Sequence, residues 1–191
     1  MKLKRYNQFL ESKSDMWDII PQSVKDLHTL FQSAGKKLYL VGGSVRDFLT
    51  GDKPKDFDLA TNALPDEVLE IIGDKFRTNL QGKAFGVVVV YTKEVPEGME
   101  IATFRSDIYD DKLGKTRNPD VKFTTIDQDV LRRDLRINGL FYDLDKREIV
   151  DLVGGVEDIK NKKINMIGDP DLRIKEDPLR ILRAIRMACR L

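Results

Sequence analysis

Residues 38–61 read Leu-Tyr-Leu-Val-Gly-Gly-Ser-Val-Arg-Asp-Phe-Leu-Thr-Gly-Asp-Lys-Pro-Lys-Asp-Phe-Asp-Leu-Ala-Thr. An apolar strand pattern (Lys37 to Val41) runs into two glycines. A short helical pattern over Ser44 to Thr50 follows, and then come two aspartates, Asp56 and Asp58, with only Phe57 between them. On a strand, alternate side chains share a face, so these carboxylates would stand about 7 Å apart on one side with Phe57 turned into the core. Two carboxylates with no base between them repel each other unless a cation lies between. Mg²⁺ suits such a site, because it prefers hard oxygen ligands and commonly uses one or two carboxylates together with substrate phosphates. A solvated Asp-x-Asp pair in a loop is the alternative reading of these two residues.

The glycines bear on that choice. A strand–Gly42-Gly43–helix junction lets backbone N–H groups approach an anion at a helix N-terminus, where the helix dipole also favours negative charge. Ser44 adds a hydroxyl and Arg46 a guanidinium. An ordinary strand-to-helix turn explains the glycines equally well when they are taken alone. Neither Gly-x-x-x-x-Gly-Lys-[Ser/Thr] nor Gly-x-Gly-x-x-Gly occurs, so the usual phosphate-loop and dinucleotide folds are not indicated.

Composition sets the frame. The 191 residues suffice for one sizeable core or a domain with a small appendage. With 33 Lys+Arg against 32 Asp+Glu the net charge is +1, and no global field points to a nucleic-acid partner. The single Cys189 argues against disulfides and cysteine metal sites and fits a reducing compartment. No signal-peptide h-region and no membrane span are visible, so the cytoplasm is the expected location.

Outward from the opening stretch, Pro21 to Ala34 reads as an amphipathic helix with Val24, Leu27, Leu30 and Phe31 inward, ended by Gly35. Its His28 is the only histidine and has no ligand partners nearby in sequence, which favours a surface or structural role. Pro65-Asp66-Glu67 opens a further helix. Lys75 to Arg77, Gly86 to Tyr91 and Glu100 to Phe104 read as strands, giving a mixed sheet with helices on one side. Ser106 to Thr125 is polar and punctuated and reads as a solvated loop.

The last helix begins with Asp177 as N-cap and Pro178 at the first position. At 100° per residue Arg180, Arg183, Arg186 and Arg190 fall within an arc of about 120°. Ile181, Leu182, Ala184, Ile185 and Ala188 take the other face. With no acid between them, the arginines call for an anionic partner such as a triphosphate or an RNA backbone, or else form a solvated basic face. Asp177 only accepts hydrogen bonds and Arg180 only donates. Cytosine and adenine each offer an amine donor beside a ring-nitrogen acceptor, whereas uracil and guanine reverse that pattern. The pair can therefore select C and A over U and G without a template. A helix-cap role for Asp177 is compatible with this.

Gly42-Gly43-Ser44-Val45-Arg46-Asp47 followed by Asp56-x-Asp58-Leu59-Ala60-Thr61 resembles the head signature of the polymerase β nucleotidyltransferase superfamily. More narrowly, it resembles the bacterial-type (class II) tRNA nucleotidyltransferase and poly(A) polymerase family. Further motifs follow in family order. Glu100 to Arg105 resembles the strand beside the metal strand, and Arg132-Arg133-Asp134 with Ile137-Asn138 the ribose-contacting motif. Asp151 to Asp158 resembles the linking segment, and Glu176-Asp177 with Arg180, Arg183 and Arg186 the nucleotide-selecting helix.

The resemblance implies an α+β fold, a polymerase β-like head with a mixed sheet and flanking helices, followed by the start of a helical neck. The expected division is an N-terminal helical extension over 1–36, the catalytic head over 37–153, and a linker with the beginning of the neck over 154–191. The implied reaction adds C or A to RNA 3′ ends, foremost tRNA CCA addition, with poly(A) synthesis as the alternative. Mg²⁺ held by Asp56 and Asp58 would bridge CTP or ATP and the RNA 3′-hydroxyl. Gly43, Ser44 and Arg46 would anchor the triphosphate, while Arg133, Arg183 and Arg186 would contact ribose or phosphate. Glu100 is a candidate third carboxylate.

Two departures stand out. Arg136 replaces a small hydroxyl residue of the family motif and is expected to perturb the nucleotide pocket. The sequence also stops at Leu191 within an apolar-faced helix carrying no stop signal, where family members continue into a tRNA-gripping body. This raises the expectation of a truncated chain, of a second chain or self-association supplying helices, or of a non-catalytic nucleotide- or RNA-binding remnant.

Overall fold

The central strands are apolar on both sides, so they can only sit inside a sheet covered on both faces. In β2 (Leu38–Val41), Leu38 and Leu40 join one core cluster while Val41 and Tyr39 belong to the other. The same alternation runs through β9 (Leu140–Asp143) and β10 (Glu148–Asp151), with Leu140, Tyr142 and Ile149 on the first side and Phe141 and Val150 on the second. A computed structural model describes residues 4–5, 15–108 and 120–191.

The remaining strands are β1 (Lys4–Arg5), β3 (Leu59–Thr61), β4 (Arg77–Asn79), β5 (Val87–Tyr91), β6 (Met99–Thr103), β7 (Arg105–Ile108) and β8 (Asp120–Phe123). The helices are α1 (Met16–Ile19), α2 (Gln22–Ser33), α3 (Gly43–Thr50), α4 (Pro65–Ile72), α5 (Ile126–Arg132), α6 (Gly155–Lys160), α7 (Pro170–Glu176) and α8 (Leu179–Ala188). Among the described residues, eight strands form one sheet in the order β1-β10-β9-β2-β3-β6-β5-β4, and β7 pairs with β8 separately. Only β3 and β6 run parallel in that sheet, so it is mixed, as expected.

Helices α2, α3, α4 and α6 bury Val24, Leu27, Phe31, Val45, Phe48, Val68, Val156 and Ile159 against one face. The expectation that helices cover one side is incomplete, because α5 places Val130 and Ile126 on the other face beside Phe104 and Phe141. Leu30 is only half-buried, and the strand expected at Lys75 starts at Arg77, after a tight turn over Gly73–Lys75. His28 is structural: it is buried, and its Nε2 lies 2.8 Å from Asp145 Oδ1 in the β9–β10 turn.

One further expectation is corrected. The Ser106–Thr125 stretch is not simply a loop: β7 pairs with β8 through Arg105↔Phe123 and Asp107↔Val121, while 109–119 lies outside the described residues. Local polarity conceals such a hairpin because its pairing is non-local. The apolar residues of α8 are also left largely uncovered, with Leu182 62% and Ile185 56% exposed, while Met187 is buried.

Candidate nucleotide and metal site

Gly42 closes β2 with φ +74°, a conformation L side chains rarely adopt, and its N–H donates to the Leu140 carbonyl at 3.1 Å. That turn aims the start of α3 at a pocket of about 560 Å³ lined by Gly42, Gly43, Arg46 and Asp47. Arg46 is buried and held by three hydrogen bonds. Its Nε and Nη2 donate to Asp47 Oδ1 at 3.0 and 2.7 Å, and Nη1 donates to Asn138 Oδ1. Asp47 Oδ2 also accepts from Arg190 Nη2 at 3.0 Å. Ser44 does not reach the pocket: it is buried, with its hydroxyl turned back toward the Val41 carbonyl at 3.4 Å.

Asp56 and Asp58 both line the pocket, but the strand begins only at Leu59, so Asp56 lies in the extended lead-in rather than on the strand as expected. The β2 pairing continues one step beyond β3, with Val41 N–H donating to the Asp58 carbonyl at 3.0 Å. Phe57 packs on the main core, which turns its two neighbours the other way. Leu59 is registered with Ile101, so Glu100 of β6 falls beside Asp58 on the adjacent strand. Asp58 is pushed up to about 6, first by burial at the pocket floor, then by the charges of Glu100 and Asp56, with Arg133 opposing.

Crowded carboxylates whose ionisation is disfavoured are what a hard divalent cation relieves, and the oxygen donor set fits Mg²⁺. Among the described residues no group of three His, Cys, Asp or Glu side chains is placed to hold a metal unaided. Two carboxylates supplemented by substrate phosphates therefore describe the site better than an all-protein cage.

The opposite wall is built on one buried acid. Asp129 of α5 accepts Arg132 Nε at 2.9 Å, Arg133 Nε and Nη2 at 3.1 and 2.9 Å, and the Arg105 N–H at 3.1 Å. Burial pushes its carboxyl up, but the guanidiniums of Arg133 and Arg132 outweigh this and hold it below the ordinary range. Arg133 also lies over the Phe141 ring, 4.9 Å from its centre. Both arginines face the pocket in fixed orientation.

The α7–α8 corner supplies Asp177, Arg180, Arg183, Arg186 and Arg190 to the same pocket. The arginine stripe is not free of acids, as sequence alone suggested. Arg180 is buried, with Nη1 2.7 Å from Glu176 Oε2 and 2.9 Å from the Arg173 carbonyl. Arg183 sits 3.6 Å from Asp134 and 3.5 Å from Asp177. Glu176 and Asp177 lie just upstream of α8 in sequence, whereas Asp134 comes from a distant segment that the spacing on α8 cannot reveal. Asp177 both caps the helix, accepting from the Leu179 N–H at 3.0 Å, and faces the pocket.

Among the described residues the lining holds nine arginine or lysine side chains and six aspartates. Lys55 and Asp107 belong to it although the sequence gave them no role, and so do Arg105 and Asn138, which the sequence placed within family motifs. Lys55 precedes Asp56 and was legible; Arg105 and Asp107 enter through the hairpin. Arg136 is not in the lining, although the turn it opens carries Asn138, which is. The Arg136 carbonyl lies where a Cβ on Gly155 would come within 2.1 Å.

Residues 38–165 match the poly A polymerase head domain family. Poly(A) polymerase I of Salmonella typhi is 40% identical over 184 residues, covering 91% of this chain and 38% of the relative. The CCA-adding enzyme of Bacillus pumilus is 43% identical over 169 residues, covering 86% of this chain and 39% of the relative. The crystal structure of the Bacillus stearothermophilus CCA-adding enzyme in complex with CTP superposes with a TM-score of 0.72 at 32% identity, over 86% of this chain and 38% of that one. The chain thus spans about two fifths of the length of these curated relatives. With the motif order, the sheet topology and the pocket in agreement, the chain belongs to the poly A polymerase head domain family.

Proposed function

We propose that this chain carries the catalytic head of a template-independent RNA nucleotidyltransferase that adds C and A to RNA 3′ ends, foremost as tRNA CCA addition. The observation that carries this reading is the convergence of Asp56 and Asp58 with Asp177 and Arg180 in one pocket. Carboxylates suited to a cation and a base-reading pair are joined there by a basic wall. The CTP complex of the Bacillus stearothermophilus enzyme supports a nucleotide ligand. Synthesis of poly(A) is the second reading, supported by the 40% identity to poly(A) polymerase I.

Nucleotidyltransferases of this family generally use divalent metal ions. In this chain Asp56 and Asp58 would hold Mg²⁺, which when bound neutralises phosphate charge and makes a 3′-hydroxyl a better nucleophile. The rest is positioning. The α3 N-terminus favours the triphosphate through its dipole, and Gly43 allows close approach. Arg46, locked by Asp47 and Asn138, and Arg133, locked by Asp129, present donors whose orientation needs no rearrangement. Arg183 and Arg186 face ribose or phosphate from α8, and Asp177 with Arg180 reads the base edge. In line attack on the α-phosphate then releases pyrophosphate.

The head is read as 37–153, preceded by a helical extension and followed by the linker that carries the base-reading corner. No described helix is long and apolar enough to cross a membrane, and a cytoplasmic location is proposed. The uncovered residues of α8 fit a partner helical surface from a second copy or another chain, which sedimentation equilibrium tests. The functional experiment is incubation with labelled CTP or ATP, Mg²⁺ and tRNA ending before, within or after CCA. Absence of incorporation on every acceptor would sink the reading, whereas runs of A on any RNA would move it to poly(A) synthesis.

A further inference from the structure

Beside the pocket, two exposed phenylalanines neighbour Arg105, which lines it. Phe123 of β8 stands directly opposite Arg105 of β7, and the Arg105 guanidinium donates through Nη1 to the Phe85 carbonyl. Gly86 makes this approach feasible: its φ is +79°, and a Cβ there would lie 2.8 Å from Cε1 of Phe123. Phe85 and Phe123 are 42% and 38% exposed. Among the described residues neither ring stacks on another aromatic or carries a cation, so both π faces are unspent. Arg105 in turn lines the pocket that holds Asp56 and Asp58.

A single exposed phenylalanine needs no explanation. Two exposed phenylalanines that each neighbour one arginine, Phe123 by strand register and Phe85 through its carbonyl, beside a strongly basic pocket that the arginine lines, are a different arrangement. Unpaired nucleic acid matches it, because every base offers a π face and every link a phosphate. A docking protein would need an apolar surface that stops short of the basic pocket, and this one runs into it.

We propose that Phe85 and Phe123 form a stacking platform for the unpaired nucleotides behind an RNA 3′ end, with Arg105 holding the phosphodiester between them. This rests on the nucleotidyl-transfer reading and names where the acceptor strand lies as its end enters the pocket.

Phe85→Leu and Phe123→Leu keep apolar volume and remove the π face. Each is expected to weaken binding of a short single-stranded RNA carrying 2-aminopurine near its 3′ end about tenfold, read by fluorescence, while CTP binding stays unchanged. Phe123→Trp keeps a ring and reports separately: its added emission should fall when RNA is supplied, beyond any change in Trp17 of the wild type. Unaltered RNA affinity in both Leu variants, or Trp emission indifferent to RNA, overturns the platform even if the wild-type chain extends RNA. A wild-type chain that neither binds nor extends RNA overturns the platform and the nucleotidyl-transfer reading together.

Discussion

Asp47 of α3 and Arg190, just beyond α8, are bonded at 3.0 Å between Oδ2 and Nη2. The same carboxylate holds Arg46 through Oδ1, so one acid ties the start of α3 to the residue just beyond α8. Asp47→Asn removes the charge that orders both guanidiniums. Nucleotide affinity is expected to fall about tenfold, measured by CTP titration, with helical content by circular dichroism unchanged. Unaltered CTP affinity would show that the link is incidental.

Asp58 is crowded by Asp56 and Glu100. A cation should therefore stabilise the wild-type fold by mass action, and Mg²⁺ is expected to raise Tm in a concentration-dependent way. Asp58→Asn should abolish that increment and raise Tm in the presence of a chelator, because a repelling charge is gone. Its incorporation rate should fall by about a thousandfold, the scale of several kcal/mol of lost transition-state stabilisation.

Asp129 is 1% exposed and holds the charges of Arg132 and Arg133. Its carboxyl is depressed in the folded state, so its contribution is complete above the unfolded value and disappears as pH falls through the lower folded value. Acid unfolding monitored by tryptophan fluorescence should show this loss below about pH 4 in the wild type. Asp129→Ala should flatten the profile there and cost about 3 kcal/mol at neutral pH in urea titration, since it strands paired guanidiniums.

Gly155 packs against backbone. A Cβ would lie 2.1 Å from the Arg136 carbonyl oxygen and 2.8 Å from its carbon, neither of which can rotate away. Gly155→Ala should cost about 3 kcal/mol in denaturant. It should also weaken CTP binding by displacing the 136–138 turn, because Asn138 holds Arg46. Gly35→Ala, where a Cβ meets nothing within 4 Å, separates the clash from the strain of a positive φ.

Asp177 faces the pocket while capping Leu179. Asp177→Ala should lower the preference for CTP and ATP over UTP and GTP about tenfold, the scale of one base-edge contact. Competition assays with mixed triphosphates measure it. Asp177→Asn restores the cap but not the selectivity, which separates the two roles.

Much of the local structure was legible because it is local. The alternation of Leu38, Tyr39, Leu40 and Val41, the Pro65 helix start and the Gly42-Gly43 junction depend on residues adjacent in sequence. Asp56 and Asp58 were readable as a pair because Phe57 must seek the core. The Arg105–Phe123 hairpin was not, since polar strands paired across an intervening segment leave no periodic trace.

The sequence by itself determined the parts of this protein: the strand and helix periods, the carboxylate pair, and the order of motifs that marks the family. Tertiary structure decided which of those groups share a space and what each is bonded to. It turned Ser44 toward Val41, left Arg136 outside the pocket, and paired Arg183 with Asp134 and Arg190 with Asp47. Periodicity assigns a residue to a face of its own element. The partner across that face comes from a distant segment, and hydrogen bonds and charges report only when the chain has brought the two together.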